Sequence, residues 1–156
     1  MTDICYSYFK SPIGFVQIGG TASEVTSLDF VELRMEEAES NPLLDRASRQ
    51  VAEYFAGKRQ TFDLPITFQG TEFQERVWRQ LLKVPFGRTA SYQDIARGVG
   101  NSLAVRAVGA ANGKNPIALI VPCHRIIGSN GKLVGYGGGL WRKEWLLNHE
   151  GCPFRK

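Results

Sequence analysis

The pattern of hydrophobic and polar positions predicts strands followed by a helix in the first half of the chain. Three β-rich runs, ICYSYF, FVQIGG and VTSLDFVE, predict strands, and Ser11–Gly14 predicts a turn between the first two. Between Asn41 and Gly57, which suit the two ends of a helix, apolar residues recur at helical spacing. The apolar face of this helix contains Leu44, Ala47, Val51, Tyr54 and Phe55. Because no chemistry-bearing motif occurs in this half, we expect it to support the other.

The second half begins with two predicted helices. Thr71-x-x-Gln74 is a capping-box signature that opens the first, and Pro85 and Gly87 end it. Its apolar face contains Phe73, Val77, Trp78, Leu81 and Leu82. Ser91-x-x-Asp94 opens the second helix, which stops near residues 98–100.

A third helix is predicted from Leu103 to Ala111, with Asn101 or Ser102 as its N-cap. Two short helices joined by a tight glycine-containing turn are typical of a helix-turn-helix. Most side chains of the third helix are small, and Arg106 is its only charged residue. Such a helix can lie close to a DNA groove or pack tightly inside the protein, and composition leaves both open.

Charge separates the two halves of the chain. Residues 1–70 contain six Lys/Arg and ten Asp/Glu, a net charge of −4, whereas residues 71–156 contain thirteen and five, a net charge of +8. We therefore predict a supporting domain at 1–70 and a second domain at 71–156 that faces an anion such as nucleic acid, although a basic surface can also serve solubility. The predicted fold class is α+β, with a small sheet-and-helix domain followed by a mainly helical, winged-helix-like domain.

Composition excludes several other classes of protein. The 156 residues are 43% hydrophobic and 22% charged, which suits a globular chain with a core. No apolar run approaches the roughly 20 residues of a membrane span, and the N-terminus has no signal-peptide pattern, so we expect a cytoplasmic protein without a membrane partner. Three cysteines without metal-binding spacing predict neither a disulfide framework nor a zinc site, and we expect no metal or organic cofactor.

The stretch IALIVPCHRIIG places a candidate nucleophile, Cys123, directly after an apolar, β-rich run and directly before His124. The thiolate is the nucleophilic form of cysteine, and a nearby base or cation favours it. A carboxylate could orient the imidazole, as in triad-type sites. Cysteine hydrolases use the same pair of residues, and many Cys-His pairs are structural, so the pair alone does not identify a reaction.

The surrounding motifs identify the second half more closely. The sequence PCHR at 122–125 follows Asn115-Pro116 and precedes VGYGGGLWRKEWLLNHEG at 134–151, and TEFQERVWRQLLKVPFGRTASYQDIARGVG lies upstream. Together these motifs resemble the O6-alkylguanine-DNA alkyltransferase family. The resemblance covers nearly all of residues 71–151, and the first half matches only loosely.

The resemblance implies catalytic roles for five residues. Cys123 is implied as the alkyl acceptor, and His124 as the base that deprotonates it through water. Glu150 is implied to orient His124. Asn115 is implied to brace the site by hydrogen bonds, and Tyr92 to donate a hydrogen bond or proton to the extruded guanine.

The resemblance also implies a DNA-binding surface and a pocket. Arg106 is implied to fill the gap that the extruded base leaves in the duplex, and the other DNA-binding residues are Ala104, Ala107, Gly109 and Ser91. The pocket wall is implied to contain Val134, Gly135, Tyr136 and Gly137, with the neighbouring glycines 138–139. Many family members carry serine where this chain has Gly137, so we expect a roomier pocket that accepts bulkier alkyl groups.

The implied function is direct reversal of DNA damage. The alkyl group of O6-alkylguanine in double-stranded DNA would move irreversibly to Cys123 after base flipping, and O4-alkylthymine is a further candidate substrate. The protein is expected to act as a monomer that contacts the minor groove and the phosphates. The alternatives are a lesion-binding protein without chemistry, a cysteine hydrolase and a transcription regulator. For the remaining residues we expect a structural salt bridge at Arg125, a helix end at His149 and ordinary thiols at Cys5 and Cys152.

Overall fold

A computed structural model describes residues 3–156, which divide into two compact units between Phe68 and Gln69. The first unit contains an antiparallel sheet of three strands in sequence order: β1 (Cys5–Ser11), β2 (Gly14–Gly20) and β3 (Val25–Val31). One helix follows, α1 (Pro42–Phe55). The predicted strands and helix of this half are confirmed.

The first unit is held together by one apolar layer between α1 and the sheet. Val16 and Ile18 of β2 are fully buried, as are Leu44 and Val51 of α1. The helix begins at its predicted cap, because the side chain of Asn41 accepts a hydrogen bond from the backbone nitrogen of Leu44 at 2.9 Å. None of these residues carries reactive chemistry, and the supporting role of this unit stays a prediction.

The second unit is mainly helical. In chain order it contains α2 (Glu72–Leu81), β4 (Ala90–Ser91), α3 (Tyr92–Gly98), α4 (Val105–Gly113), a 3₁₀ turn (Cys123–Arg125), β5 (Ile126–Ile127) and α5 (Leu140–His149). Both predicted capping boxes are present, at the starts of α2 and α3. The α+β fold class is confirmed. None of the helices within residues 3–156 has the length and apolar content that a membrane crossing requires.

The helix-turn-helix is formed by α3 and α4, but the predicted start of α4 is wrong. The helix begins at Val105, and Ala104 at the N-cap makes no side-chain capping bond. Asn101 is unavailable as a cap because its side-chain oxygen accepts from the backbone nitrogen of Leu103 inside the turn. The side chain of Asn101, which was predicted to cap the helix, therefore stabilises the turn before it.

Two contacts bring the elements of the second unit toward one centre. The indole nitrogen of Trp78 on α2 donates to the carbonyl oxygen of Ala111 on α4 at 2.9 Å. The strands β4 and β5 pair in parallel, with Ser91 opposite Ile127. This pairing places the start of α3, and so Tyr92, beside the segment that contains Cys123.

Candidate functional site

Two successive tight turns present Cys123. Around Leu119, the backbone nitrogen of Ile120 donates to the carbonyl oxygen of Ala118 at 2.8 Å. Around Pro122, the backbone nitrogen of Cys123 donates to the carbonyl oxygen of Val121 at 2.8 Å. Leu119 has a φ of 71°, a conformation that a bulky residue rarely adopts. The apolar run before Cys123 is therefore a buried series of turns rather than a strand, which its β-rich composition did not indicate.

Asparagine side chains fix this series of turns. The amide nitrogen of Asn115 donates to the carbonyl oxygen of Val121 at 2.7 Å, and its oxygen accepts from the backbone nitrogen of Ile117 at 3.0 Å. A hydrogen bond from Asn115 also acts to lower the pKa of Cys123, and the role of Asn115 as a brace of the site stays a prediction. Asn112, which sequence reasoning missed, is buried and donates to the Cys123 carbonyl oxygen at 3.4 Å.

His124 is buried and bonded to Glu150. Its Nε2 lies 2.7 Å from Oε2 of Glu150, and Arg125 Nε donates to Oε1 of the same carboxylate at 2.7 Å. Burial raises the pKa of Glu150, but the hydrogen bonds and charges of His124 and Arg125 outweigh it and lower this pKa to about 2. Glu150 is therefore ionised at neutral pH, and the structural salt bridge expected at Arg125 is confirmed.

The ionised carboxylate fixes which nitrogen of His124 carries the proton. Burial lowers the pKa of His124 further than Glu150 raises it, so the imidazole is neutral at pH 7. A neutral imidazole has one donor and one acceptor nitrogen, and the donor must be Nε2 because it faces the carboxylate. Nδ1 is then an acceptor, and it is buried without a hydrogen-bond partner among the described residues. A buried base with a free lone pair thus lies next in sequence to the thiol.

Cys123 is a neutral thiol in this environment. Burial raises its pKa above the usual value, while the hydrogen bond from Asn115 and the charge of Lys143 act in the opposite direction. A neutral thiol is a weak nucleophile. The site therefore requires a base that removes the proton when the sulfur attacks.

Lys143 is a functional candidate that sequence reasoning missed. Lys143 is fully buried, and its ammonium donates to the carbonyl oxygens of Val134 at 2.8 Å and Gly135 at 3.1 Å. The ammonium lies 5.8 Å from the centroid of the Tyr92 ring, and burial lowers its pKa to about 8. Helical spacing could have identified it, because positions 143, 146 and 147 share the buried face of α5.

Two tyrosines belong to the same centre. The Tyr92 hydroxyl donates to the Val134 carbonyl oxygen at 3.0 Å, and burial followed by the charge of Cys123 raises its pKa. The same two causes, burial first, raise the pKa of Tyr136, whose hydroxyl is buried without a hydrogen-bond partner among the described residues. Both phenols are therefore proton donors near Cys123.

The glycines implied as a pocket wall leave open space. A Cβ atom built on Gly135 would meet nothing within 4 Å, and one built on Gly137 would meet only the Gly113 carbonyl oxygen, at 3.8 Å. Val134, next to them, is exposed. The structure therefore leaves room beside the backbone at both glycines.

The residues implied in DNA binding lie mostly outside the buried centre. Arg106 and Ala107 are exposed on α4, and Ala104 and Gly109 are half-buried. The opposite side of α4 is buried, so the helix is neither wholly internal nor wholly free. The Ser91 hydroxyl caps α3, accepting from the Asp94 nitrogen at 2.9 Å.

The remaining candidate residues have ordinary environments. His149 ends α5, as predicted, and its ring stacks on Trp145 at 4.9 Å between centroids. Cys152 is buried with Ile127 and Leu147, and Cys5 is half-buried. Within residues 3–156 no group of His, Cys, Asp and Glu side chains is arranged to hold a metal ion.

Comparison with known proteins gives consistent matches along both units. Residues 72–152 match the family model described as 6-O-methylguanine DNA methyltransferase, DNA binding domain, and residues 4–68 match that of its ribonuclease-like domain. A methylated-DNA--protein-cysteine methyltransferase of Methanosarcina acetivorans is 45% identical over 94% of this chain and 97% of its own length. The Mycobacterium tuberculosis protein of the same name is 47% identical over 94% of this chain and 92% of its own length. A crystal structure of Mycobacterium tuberculosis OGT in complex with DNA superimposes with a TM-score of 0.86 at 47% identity, covering 94% of this chain and 92% of that one.

Proposed function

Because the chain belongs to the 6-O-methylguanine DNA methyltransferase family, we propose that it repairs DNA by taking the alkyl group of O6-alkylguanine onto Cys123. The observation that carries the proposal is the buried imidazole of His124, whose Nε2 is bonded to Glu150 and whose Nδ1 has no hydrogen-bond partner within residues 3–156. This arrangement supplies a base of fixed tautomer next to the acceptor thiol.

The transfer balances with the groups of this chain. The sulfur of Cys123 attacks the alkyl carbon, so an S–C bond forms while the bond from that carbon to O6 breaks. The thiol proton passes to Nδ1 of His124 through a water molecule, and the guanine keeps the electron pair of the broken bond. The guanine takes a proton from the Tyr92 phenol, and the proton held by His124 returns to that phenol through solvent. The product is an unmodified guanine and a thioether, which has no carbonyl for water to attack.

Tyr92 and Lys143 control the charge that develops during transfer. The Tyr92 phenol remains protonated at neutral pH, and it reaches the guanine by exchanging its bond to Val134 for one to the base. The Lys143 ammonium favours the thiolate of Cys123 electrostatically and holds Val134 and Gly135 by their carbonyl oxygens. We therefore assign Lys143 as a positioning residue, and Asn115 as the brace of the thiol.

The partner is double-stranded DNA. The net charge of +8 in residues 71–156 attracts phosphates without sequence preference, and the exposed small residues of α4 allow close approach to the minor groove. The damaged base rotates into the space beside Gly135 and Gly137, and Arg106 fills the gap in the duplex. Alkylated thymine is a further candidate substrate. The three cysteines are all unpaired thiols, which supports a location in the reducing cytoplasm.

The stoichiometry of repair tests this proposal. A duplex with one O6-methylguanine is mixed in excess with the protein, and repaired guanine is measured over time. Since the thioether cannot be hydrolysed, repair should stop at one guanine per active protein. Continued turnover would contradict irreversible transfer and favour a hydrolase. Binding without any repaired guanine would favour a lesion-binding protein.

A further inference from the structure

The glycines of segment 135–139 differ in what lies beside them. The positions at Gly135 and Gly137 are open, but a Cβ atom on Gly139 would lie 3.2 Å from Cδ1 and Nε1 of the Trp141 ring. The indole therefore occupies the space that a side chain at 139 would take. It adds an aromatic surface beside the last glycine of the segment.

The Trp141 ring packs against the side chain of Arg142 and remains half open to solvent. The guanidinium of Arg142 lies 4.4 Å from the ring centroid, and its Nη1 donates to the Gly138 carbonyl oxygen at 2.7 Å. Trp141 is nevertheless 56% exposed. An indole has few rotatable bonds, so it loses little conformational entropy when it binds a partner, and it offers a large apolar surface.

Two more exposed apolar residues flank the same segment. Val134 precedes the glycines and is 49% exposed, and Leu140 follows them and is 47% exposed. We call Val134, Leu140 and Trp141 the apolar rim. The edges of guanine are polar and do not need such a surface, whereas a hydrocarbon substituent on O6 would gain from it.

We propose that Trp141 is a specificity-determining residue whose ring contacts aryl substituents on O6 and so raises the rate of benzyl transfer relative to methyl transfer. This inference rests on the proposed function. In benzyl transfer the bond from sulfur to the benzylic carbon forms, the bond from that carbon to O6 breaks, and guanine keeps the electron pair and takes a proton. The phenyl ring is unchanged throughout and stays within the apolar rim, whereas a methyl group has no surface that could reach Trp141.

Rate constants for free O6-benzylguanine and free O6-methylguanine test the inference. They are measured by the mass of the protein for the wild type, Trp141→Ala and Trp141→Phe, with Leu33→Ala as a control at an exposed leucine of the first unit. Trp141→Ala should slow benzyl transfer by about three- to tenfold, the contribution expected of an aromatic pair, and leave methyl transfer within about twofold. Trp141→Phe should keep most of the benzyl rate, and Leu33→Ala should change neither.

Three outcomes would overturn the inference. An unchanged ratio of benzyl to methyl rates in Trp141→Ala would show that the ring does not contact the substituent. An equal loss on both bases would show that the ring only braces the glycine wall. A wild type that takes neither group from a free base or from duplex DNA would overturn the proposed function itself, and this inference with it.

Discussion

Nε2 of His124 lies 2.7 Å from Oε2 of Glu150, and neither side chain is exposed to solvent. Arg125 approaches the other oxygen of the same carboxylate, so Glu150 is an anion shared by two buried partners. The salt bridge keeps the carboxylate ionised, and the ionised carboxylate keeps the proton of His124 on Nε2. The fold and the chemistry of the site therefore depend on one charge.

Loss of the Glu150 charge should destabilise the protein in a pH-dependent way. The pKa of Glu150 is about 2 in the folded protein, against 4.5 for an ordinary glutamate. A depressed folded pKa contributes stability above the unfolded pKa, and this stability disappears as the pH falls toward 2. Urea unfolding should therefore show Glu150→Gln well below the wild type near pH 7, with a smaller difference near pH 3. Glu144→Gln is the control, because Glu144 pairs with an exposed Lys156. A gap that stays constant with pH would contradict this account.

Replacement of Lys143 by methionine should weaken the thiolate. The substitution keeps a long apolar side chain but removes the charge that lowers the pKa of Cys123 and the two bonds to Val134 and Gly135. The ultraviolet titration of the thiol should shift to higher pH, and transfer from a free alkylated base should slow by about tenfold. Lys83→Met, at an exposed lysine, should change neither. If the titration curve of Lys143→Met equals that of the wild type, the lysine only supports the fold.

Arg106 should matter for duplex DNA and not for a free base. Unstacking a nucleotide costs a few kcal/mol, and a side chain that fills the gap offsets part of this cost. Arg106→Ala should slow the reaction with duplex DNA strongly, even at saturating DNA, and with free O6-benzylguanine little. Arg106→Lys should lie between, since it keeps the charge and loses the planar guanidinium. Lys114→Ala removes an exposed cation at the end of the same helix, so it is the control for the loss of a phosphate contact without the loss of the extrusion role. A normal saturated rate for Arg106→Ala would exclude the extrusion role.

A side chain at position 137 should narrow the pocket. The backbone of Gly137 has no conformation restricted to glycine, and a Cβ atom there would meet only the Gly113 carbonyl oxygen, at ordinary contact distance. Gly137→Ser should therefore fold normally, and its hydroxyl would occupy space that a bulky substituent needs. Benzyl transfer should fall relative to methyl transfer by about threefold or more. Equal relative rates before and after the substitution would show that Gly137 does not set the size of the pocket.

Local patterns in the sequence predicted most of the fold. The helix with its cap at Asn41 and the capping boxes at Thr71 and Ser91 were predicted because each depends on residues within a few positions of one another. The start of α4 was not, because Asn101 bonds inside its own turn. The apolar run before Cys123 resembles a strand in composition, and only tertiary packing holds Leu119 at a positive φ.

Less of the site than of the fold could be predicted from the sequence. The motif around PCHR pointed to Cys123, His124 and Glu150, although Glu150 lies 26 residues from His124. Lys143 was missed because a lysine is normally exposed, and nothing in a linear pattern shows that two backbone carbonyls will receive its ammonium. The apolar rim was missed for a similar reason, since the position of Trp141 depends on the path of the glycine segment before it.

The intact mass of the protein after reaction with duplex DNA that contains O6-methylguanine tests the central claim most directly. The mass should rise by one methyl group in place of one hydrogen, and the gain should map to the peptide that contains Cys123. Cys123→Ser should show no gain and still bind DNA, whereas Cys5→Ser and Cys152→Ser should gain the group as the wild type does. A gain on Cys5 or Cys152, or repaired DNA beside an unmodified protein, would contradict the transfer of the alkyl group to Cys123.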